Sequence, residues 1–117
     1  MLKLKLTKTH LSHSTLNAGG FEKTFGKALG VSFDDIPQGG ENGVEIDCLL
    51  ELGATAKKTT LKLYRPKSKP EKRLWIKGLK ASAKAGDYLV FFLGSGEEHP
   101  PESGQYYPII ACIQTPD

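Results

Sequence analysis

Apolar residues return at every second position in this chain, in runs too short for anything but strands. LKLKLTK sets Leu2, Leu4 and Leu6 against Lys3, Lys5 and Thr7. VEIDCLLEL, from Val44 to Leu52, carries Val44, Ile46, Cys48 and Leu50 on one face. TTLKLY places Leu61 and Leu63 between Thr60, Lys62 and Tyr64, and RLWIK divides Leu74 and Ile76 from Arg73, Trp75 and Lys77. A period of two marks half-buried strands, because successive side chains leave opposite faces of the backbone. DYLVFFL is almost continuously apolar and reads as a strand buried on both faces. QYYPIIACI ends the series, and Pro108 inside it points to an edge position or a bulge.

The connections are shorter on information. GATA joins the second and third strands, which read as a hairpin. Phe21, Phe25 and Leu29 recur at helical spacing before Gly30, giving a short helix with a glycine cap. GLKASAKAG reads as a second short helix or turn closed by Gly86. THLSHSTLNAGG, from Thr9 to Gly20, reads as a polar loop, and DDIPQGGENG as an acidic, glycine-rich connection. GSGEEHPPESG, which contains His99, is expected to be a long mobile loop. Six short strands with two short helices predict a mostly β fold, a partly open β-barrel that leaves few exposed edges. At 117 residues, without repeats or a linker, the chain reads as one domain.

Charge is strongly segregated. Residues 57–80 hold ten of the sixteen Lys and Arg residues and one acid, Glu71; residues 31–56 hold six acids and no base. The basic stretch centres on RPKSKPEKR, a loop from Arg65 to Arg73 with two prolines. Such a loop on a small rigid body suits a polyanion, although solvated strand faces also produce charge segregation.

Catalytic motifs are missing from the sequence. His10 and His13 form an HxxH spacing, but in a loop that spacing imposes no metal geometry. There is no GxSxG, no Walker A loop and no nucleophilic Cys in a polar setting. Glu45, Asp47 and Glu51 lack the companion Lys of a nuclease site and read as a solvated strand face. The expectation is a binding domain, not an enzyme, with no cofactor and no metal. Cys48 and Cys112 lie in apolar runs and read as reduced core thiols, with a bridge between neighbouring strands left open. No run is long enough to span a membrane and no signal segment opens the chain, so the expected compartment is cytoplasmic.

Recognition is the better fit. Arg65, Lys67, Lys69, Lys72 and Arg73 supply cations for phosphates, with Ser68 and Lys77 beside them. Glu71 and Arg73 stand two apart and project to one side of an extended segment. Arg73 can read guanine and Glu71 can accept from cytosine; equally, Glu71 can hold Arg73 in place by an ion pair. The polar segment adds His10, Ser12, His13, Ser14, Thr15 and Asn17, with Gly19 and Gly20 allowing close backbone approach. Lys23 lies near a helix N-terminus. Tyr64 and Trp75 flank the basic loop on outward positions, where they either stack on bases or pack against Lys and Arg stems.

The two loops, with EKRLWI (Glu71 to Ile76) and GDYLVFF (Gly86 to Phe92), resemble the B3-like DNA-binding pseudobarrel. More narrowly, the chain is similar to the N-terminal recognition domain of EcoRII-type restriction endonucleases. LSHSTLNAGG, Leu11 to Gly20, corresponds to that family's polar N-arm, and Glu71-Lys72-Arg73 before Trp75 to its C-arm. The resemblance implies two arms, residues 9–23 and 64–77, in the major groove of double-stranded DNA at a short G·C-containing site such as CC(A/T)GG. It implies Glu71 and Arg73 as base readers, Lys72 as a phosphate or base contact, and Ser12, His13, Ser14, Thr15 and Asn17 as N-arm contacts. The chain departs from the family after Gly19-Gly20, where Phe21 replaces a polar residue; either Glu22 or Lys23 reads, or this arm contributes less. Nuclease activity, on this reading, belongs to a separate fused or associated domain. The alternatives are an OB-like binder of single strands or RNA stacking on Tyr64 and Trp75, and a module for an acidic protein partner.

Overall fold

A computed structural model describes residues 1–96 and 104–116, so His99 and most of the long acidic loop lie outside the described residues. The fold is mostly β: one curled, open, seven-stranded sheet with three short helices. The strands are β1 (Leu2–Lys5), β2 (Leu16–Asn17), β3 (Val44–Leu52), β4 (Thr55–Tyr64), β5 (Arg73–Ile76), β6 (Tyr88–Leu93) and β7 (Ile109–Gln114). Their order across the sheet is β1-β6-β7-β3-β4-β5-β2. Neighbours are antiparallel except β3 and β7, which run parallel.

Period two in the sequence becomes inside and outside in the fold. Leu61, Leu63, Leu74, Ile76, Leu89, Phe91, Ile109 and Ala111 are fully buried on the inner face. The β3–β4 hairpin pairs without interruption from Val44 opposite Leu63 to Leu52 opposite Thr55. Its turn is tighter than GATA suggests, because Thr55 and Ala56 already belong to β4 and Gly53 takes the left-handed backbone that the reversal needs.

Helix α2 (Gly19–Leu29) closes the inner face. Phe21 packs at 5.1 Å from Phe25 and edge-on at 5.3 Å from Phe91 of β6. Quadrupolar rings favour that tilted geometry, and each buried ring contributes about 2–3 kcal/mol from area alone. Gly30 caps the helix in the left-handed region, as the sequence predicts, and the Val31 amide donates to the Gly26 carbonyl. The mid-helix Gly26 has a steric reason: a Cβ there would come within 2.8 Å of the Val31 carbonyl oxygen. The third helix, α3 (Leu79–Ser82), buries Leu79.

Three expectations need correction. The segment expected to be a polar loop instead contains helix α1 (Lys8–His13) and strand β2. Thr7 caps α1: its side chain accepts from the His10 amide while His10 Nδ1 accepts from the Thr7 amide, a capping box with His in the usual Glu place. Pro108 lies just before β7, and β7 is interior, between β6 and β3. Pro108 has no N–H to donate, so only its carbonyl joins the pairing there, accepting from the Gly94 amide at 2.8 Å before the β6–β7 register begins at Ile109. Only glycine fits that approach, since a Cβ on Gly94 would collide with the Tyr107 carbonyl oxygen. Finally, burial on both faces of β6 covers Leu89, Val90 and Phe91 but ends at Phe92 and Leu93, where the strand runs out toward Gly94.

Cys48 is buried and Cys112 half-buried, and both are free thiols. Cys48 stands opposite Ile109, while Cys112 stands opposite Glu51. No helix among the described residues is long and apolar enough to cross a membrane.

Candidate nucleic-acid interface

Both arms meet at one end of the sheet, where β2 pairs with β5 and β5 with β4. The register lines up Asn17, Arg73 and Tyr64 in one row across three strands, because Asn17 faces Arg73 and Arg73 faces Tyr64. Residues paired in this way share a face, so the N-arm and the C-arm present side chains together. Three contacts bind the arms to each other. The Tyr64 hydroxyl lies 3.0 Å from Thr15 Oγ1, and the Ala18 amide donates to the Lys72 carbonyl at 2.8 Å. The Lys72 ammonium pairs with Glu22 Oε1.

Glu22 is therefore a brace. Its second oxygen accepts the Phe33 amide at 2.5 Å, and Lys72 Nζ also lies 6.0 Å from the Phe33 ring centre. The hydrogen bond from Lys72 and then that from Phe33 hold the Glu22 carboxyl below its ordinary value. Among the residues singled out from sequence, Glu22 and Lys72 are thus engaged with each other in this conformation.

The choice that the sequence left open for Glu71 has an answer in the free protein. Glu71 Oε2 accepts from Arg73 Nε at 2.8 Å and from Arg73 Nη2. This hydrogen bond, first among its causes, raises the Arg73 pKa, and Tyr64 adds to it. The pair stays accessible, with side-chain exposures of 25% for Arg73 and 46% for Glu71, so an incoming anion or base edge can compete for either partner.

A buttress that sequence reasoning missed comes from the acidic connection. Gln38 bridges to Arg65, the Gly39 amide donates to the Arg65 carbonyl at 2.8 Å, and Gln38 Nε2 donates to the Lys69 carbonyl at 3.0 Å. Arg65 returns a bond from Nη1 to the Ile36 carbonyl at 3.3 Å. No local signal marks Gln38, since its partners lie up to 31 residues away. The tip of the arm, Lys67, Ser68 and Lys69, is exposed, and its two lysines have no ion-pair partner among the described residues.

The N-arm residues divide by role. His10 caps α1 through Nδ1, and the Ser12 hydroxyl donates to the Thr9 carbonyl at 3.3 Å. Ser14 ends α1 with φ of 52°, the one non-glycine with positive φ among the described residues. Asn17 Oδ1 accepts the Gly19 amide at 2.8 Å and so starts α2. His13 and Lys23 are exposed to solvent. Trp75 is half-buried and packs against the core, facing Lys62 across β4 and β5, while Lys77 is exposed just past the end of β5. Among the described residues, no group of three His, Cys, Asp or Glu side chains is placed to hold a metal ion.

The arrangement presents exposed cations, one ion-paired guanidinium and two cross-linked arms on one end of a rigid sheet. No known protein family, curated protein or solved structure matches this chain.

Proposed function

We infer that this chain is a sequence-specific double-stranded DNA-binding domain with two arms and a B3-like pseudobarrel architecture. The observation that carries this reading is the cross-linking of the arms. Beside the β2–β5 pairing, Thr15 to Tyr64, Ala18 to Lys72 and Glu22 to Lys72 tie two polar segments far apart in sequence into one surface. A merely solvated basic loop has no use for such bracing. A groove reader does, since base-edge contacts require side chains held in register before binding.

In this reading Lys67, Lys69 and Arg65 neutralise phosphates and Arg73 reaches a guanine edge, with Glu71 releasing it or contacting the paired cytosine. The role fits the specificity domain of a restriction endonuclease of the EcoRII type, with cleavage supplied by a separate domain. The single-strand alternative draws less support, because the Tyr64 hydroxyl is committed to Thr15 and Trp75 is half-buried against the core.

Selection of bound duplexes from a random pool tests the reading directly; a shared motif of a few base pairs is the expected result. Three phosphate-facing cations, Arg65, Lys67 and Lys69, give a log–log salt slope of about −2.7 on a short cognate duplex. A pool that returns no motif, or a flat salt response, overturns it.

A further inference from the structure

A second row of cations runs away from the arms along the outer face of the same strands. Lys62 of β4 stands opposite Trp75 of β5. One step further, the Lys77 amide donates to the Thr60 carbonyl at 3.0 Å, and the Thr59 hydroxyl donates to the Lys77 carbonyl at 2.6 Å. These bonds hold Lys77 beside Thr60 and fix the end of β5 on β4. Lys58 follows on the same face by strand alternation. Two shallow grooves cover this face and share Thr60 and Lys77: one is lined also by Lys62, Trp75 and Glu45, the other by Lys58 and Asp47.

None of Lys58, Lys62 and Lys77 has an ion-pair partner among the described residues, although Glu45 lies directly opposite Lys62 and Asp47 opposite Thr60. Unpaired cations beside available acids leave the cations free for another anion. The acids all stand on β3, so they bound the strip on one side, and the other side leads through Trp75 and Arg73 to Asn17 and the arms.

We propose that Lys58, Lys62 and Lys77, with Trp75 as their floor, form a track for the sugar–phosphate backbone of duplex DNA flanking the site held by the arms. This rests on the DNA-binding reading and extends its footprint. From Tyr64 to Lys58 the strand advances six residues, about 20 Å, the length of about six base pairs. The track reads no sequence, because phosphates carry none. It adds affinity and salt dependence only when the duplex is long enough to reach it.

The experiment compares duplexes of about 8 and about 20 base pairs carrying the selected motif, each titrated across a salt series. The parent chain is expected to show a slope of about −2.7 on the short duplex and about −5.4 on the long one, three further phosphates each adding about −0.9. In a Lys58→Ala, Lys62→Ala variant the long-duplex slope is expected to fall by about 1.8, with short-duplex affinity unchanged. Glu45→Gln is expected to strengthen only the long-duplex complex. Trp75 is the single tryptophan of the chain, so its fluorescence should change more with the long duplex than with the short one. Thermal melting checks that each variant is folded.

A variant that keeps the full long-duplex slope overturns the track. So does one that loses equal affinity on both lengths, since its lysines would then serve the arms or long-range steering. If the parent chain binds neither length at low salt, the DNA-binding reading itself fails, a result distinct from either of these.

Discussion

The Lys72 ammonium on the C-arm is paired with the Glu22 carboxylate on α2, a residue 50 positions away. The same carboxylate holds the Phe33 amide, so one acid fixes an arm, a helix and the 3₁₀ turn over Phe33–Asp35. A glutamine there keeps one acceptor oxygen, so it can serve the Phe33 amide or the Lys72 ammonium but not both, and its NH2 group then faces the other donor. Glu22→Gln should therefore cost about 1–3 kcal/mol, read as a lower denaturation midpoint with an unchanged m-value. The pH dependence follows from the lowered Glu22 pKa. A carboxylate with a depressed folded-state pKa stabilises the fold above its ordinary value of 4.5, and that contribution is lost as pH falls through the folded value. Melting curves below pH 4.5 should show this loss in the parent chain and not in Glu22→Gln.

Because Lys72 is spent on Glu22, it differs in role from the lysines at the arm tip. Lys67→Ala and Lys69→Ala should each reduce the DNA salt slope by about 0.9 with little effect on stability. Lys72→Met should do the reverse, lowering stability while leaving the slope nearly unchanged. Equal slope losses for all three would place Lys72 on phosphate in the complex.

What the sequence made legible depended on whether the cause was local. Strands β3 and β5 follow from alternation of Val44, Ile46 and Cys48, and of Leu74 and Ile76, which is a property of neighbours. Helix α1 was hidden because Lys8–His13 offers one apolar residue, Leu11, and a cap whose acceptor is an imidazole. The place of β7 inside the sheet was obscured by Pro108, whose carbonyl bond to Gly94 depends on a loop return. At the interface, the cations and the Glu71–Arg73 spacing were visible. The braces were not: Thr15 to Tyr64 and Gln38 to Lys69 span 49 and 31 residues, and nothing local encodes them.

The Thr15–Tyr64 bond is testable with a variant that keeps the strand pairing of the row and takes from Arg73 only the contribution of the Tyr64 hydroxyl. Tyr64→Phe keeps the ring beside Arg73 and removes only the hydroxyl. The cost should be about 0.5–1.5 kcal/mol, and the amides of Thr15 and Leu16 should exchange faster while those of β6 do not. DNA affinity should fall with the loosened N-arm. Unchanged exchange at Thr15 would show that the other two arm contacts suffice.

The thiols should react in a fixed order. Burial pushes Cys48 up to about 12, and burial with the nearby Glu51 carboxylate pushes Cys112 up to about 11. The thiolate is the reactive form, so at pH 8 roughly one Cys112 in a thousand is ready to react, and fewer Cys48. Alkylation of the native chain should be slow and confined to Cys112, with Cys48 labelled only in denaturant. Glu51→Gln, by removing the charge 3.5 Å from Cys112 Sγ, should speed the first reaction.

Glu71 and Arg73 provide the sharpest test of recognition. The pair is exposed enough that its loss should change stability by less than about 1 kcal/mol. Arg73→Ala should nevertheless cost about 1–3 kcal/mol on the selected duplex and relax preference at one base pair, since a bidentate guanine contact discriminates by that amount. Glu71→Gln removes the internal anion that competes for Arg73. It should strengthen binding to non-cognate duplexes and narrow the gap between cognate and non-cognate sites. The gap, measured at one salt concentration, is the deciding quantity. If Glu71→Gln strengthens both classes equally, Glu71 only tempers the charge of the arm; if the gap closes, holding Arg73 back from phosphate is how this arm obtains its selectivity.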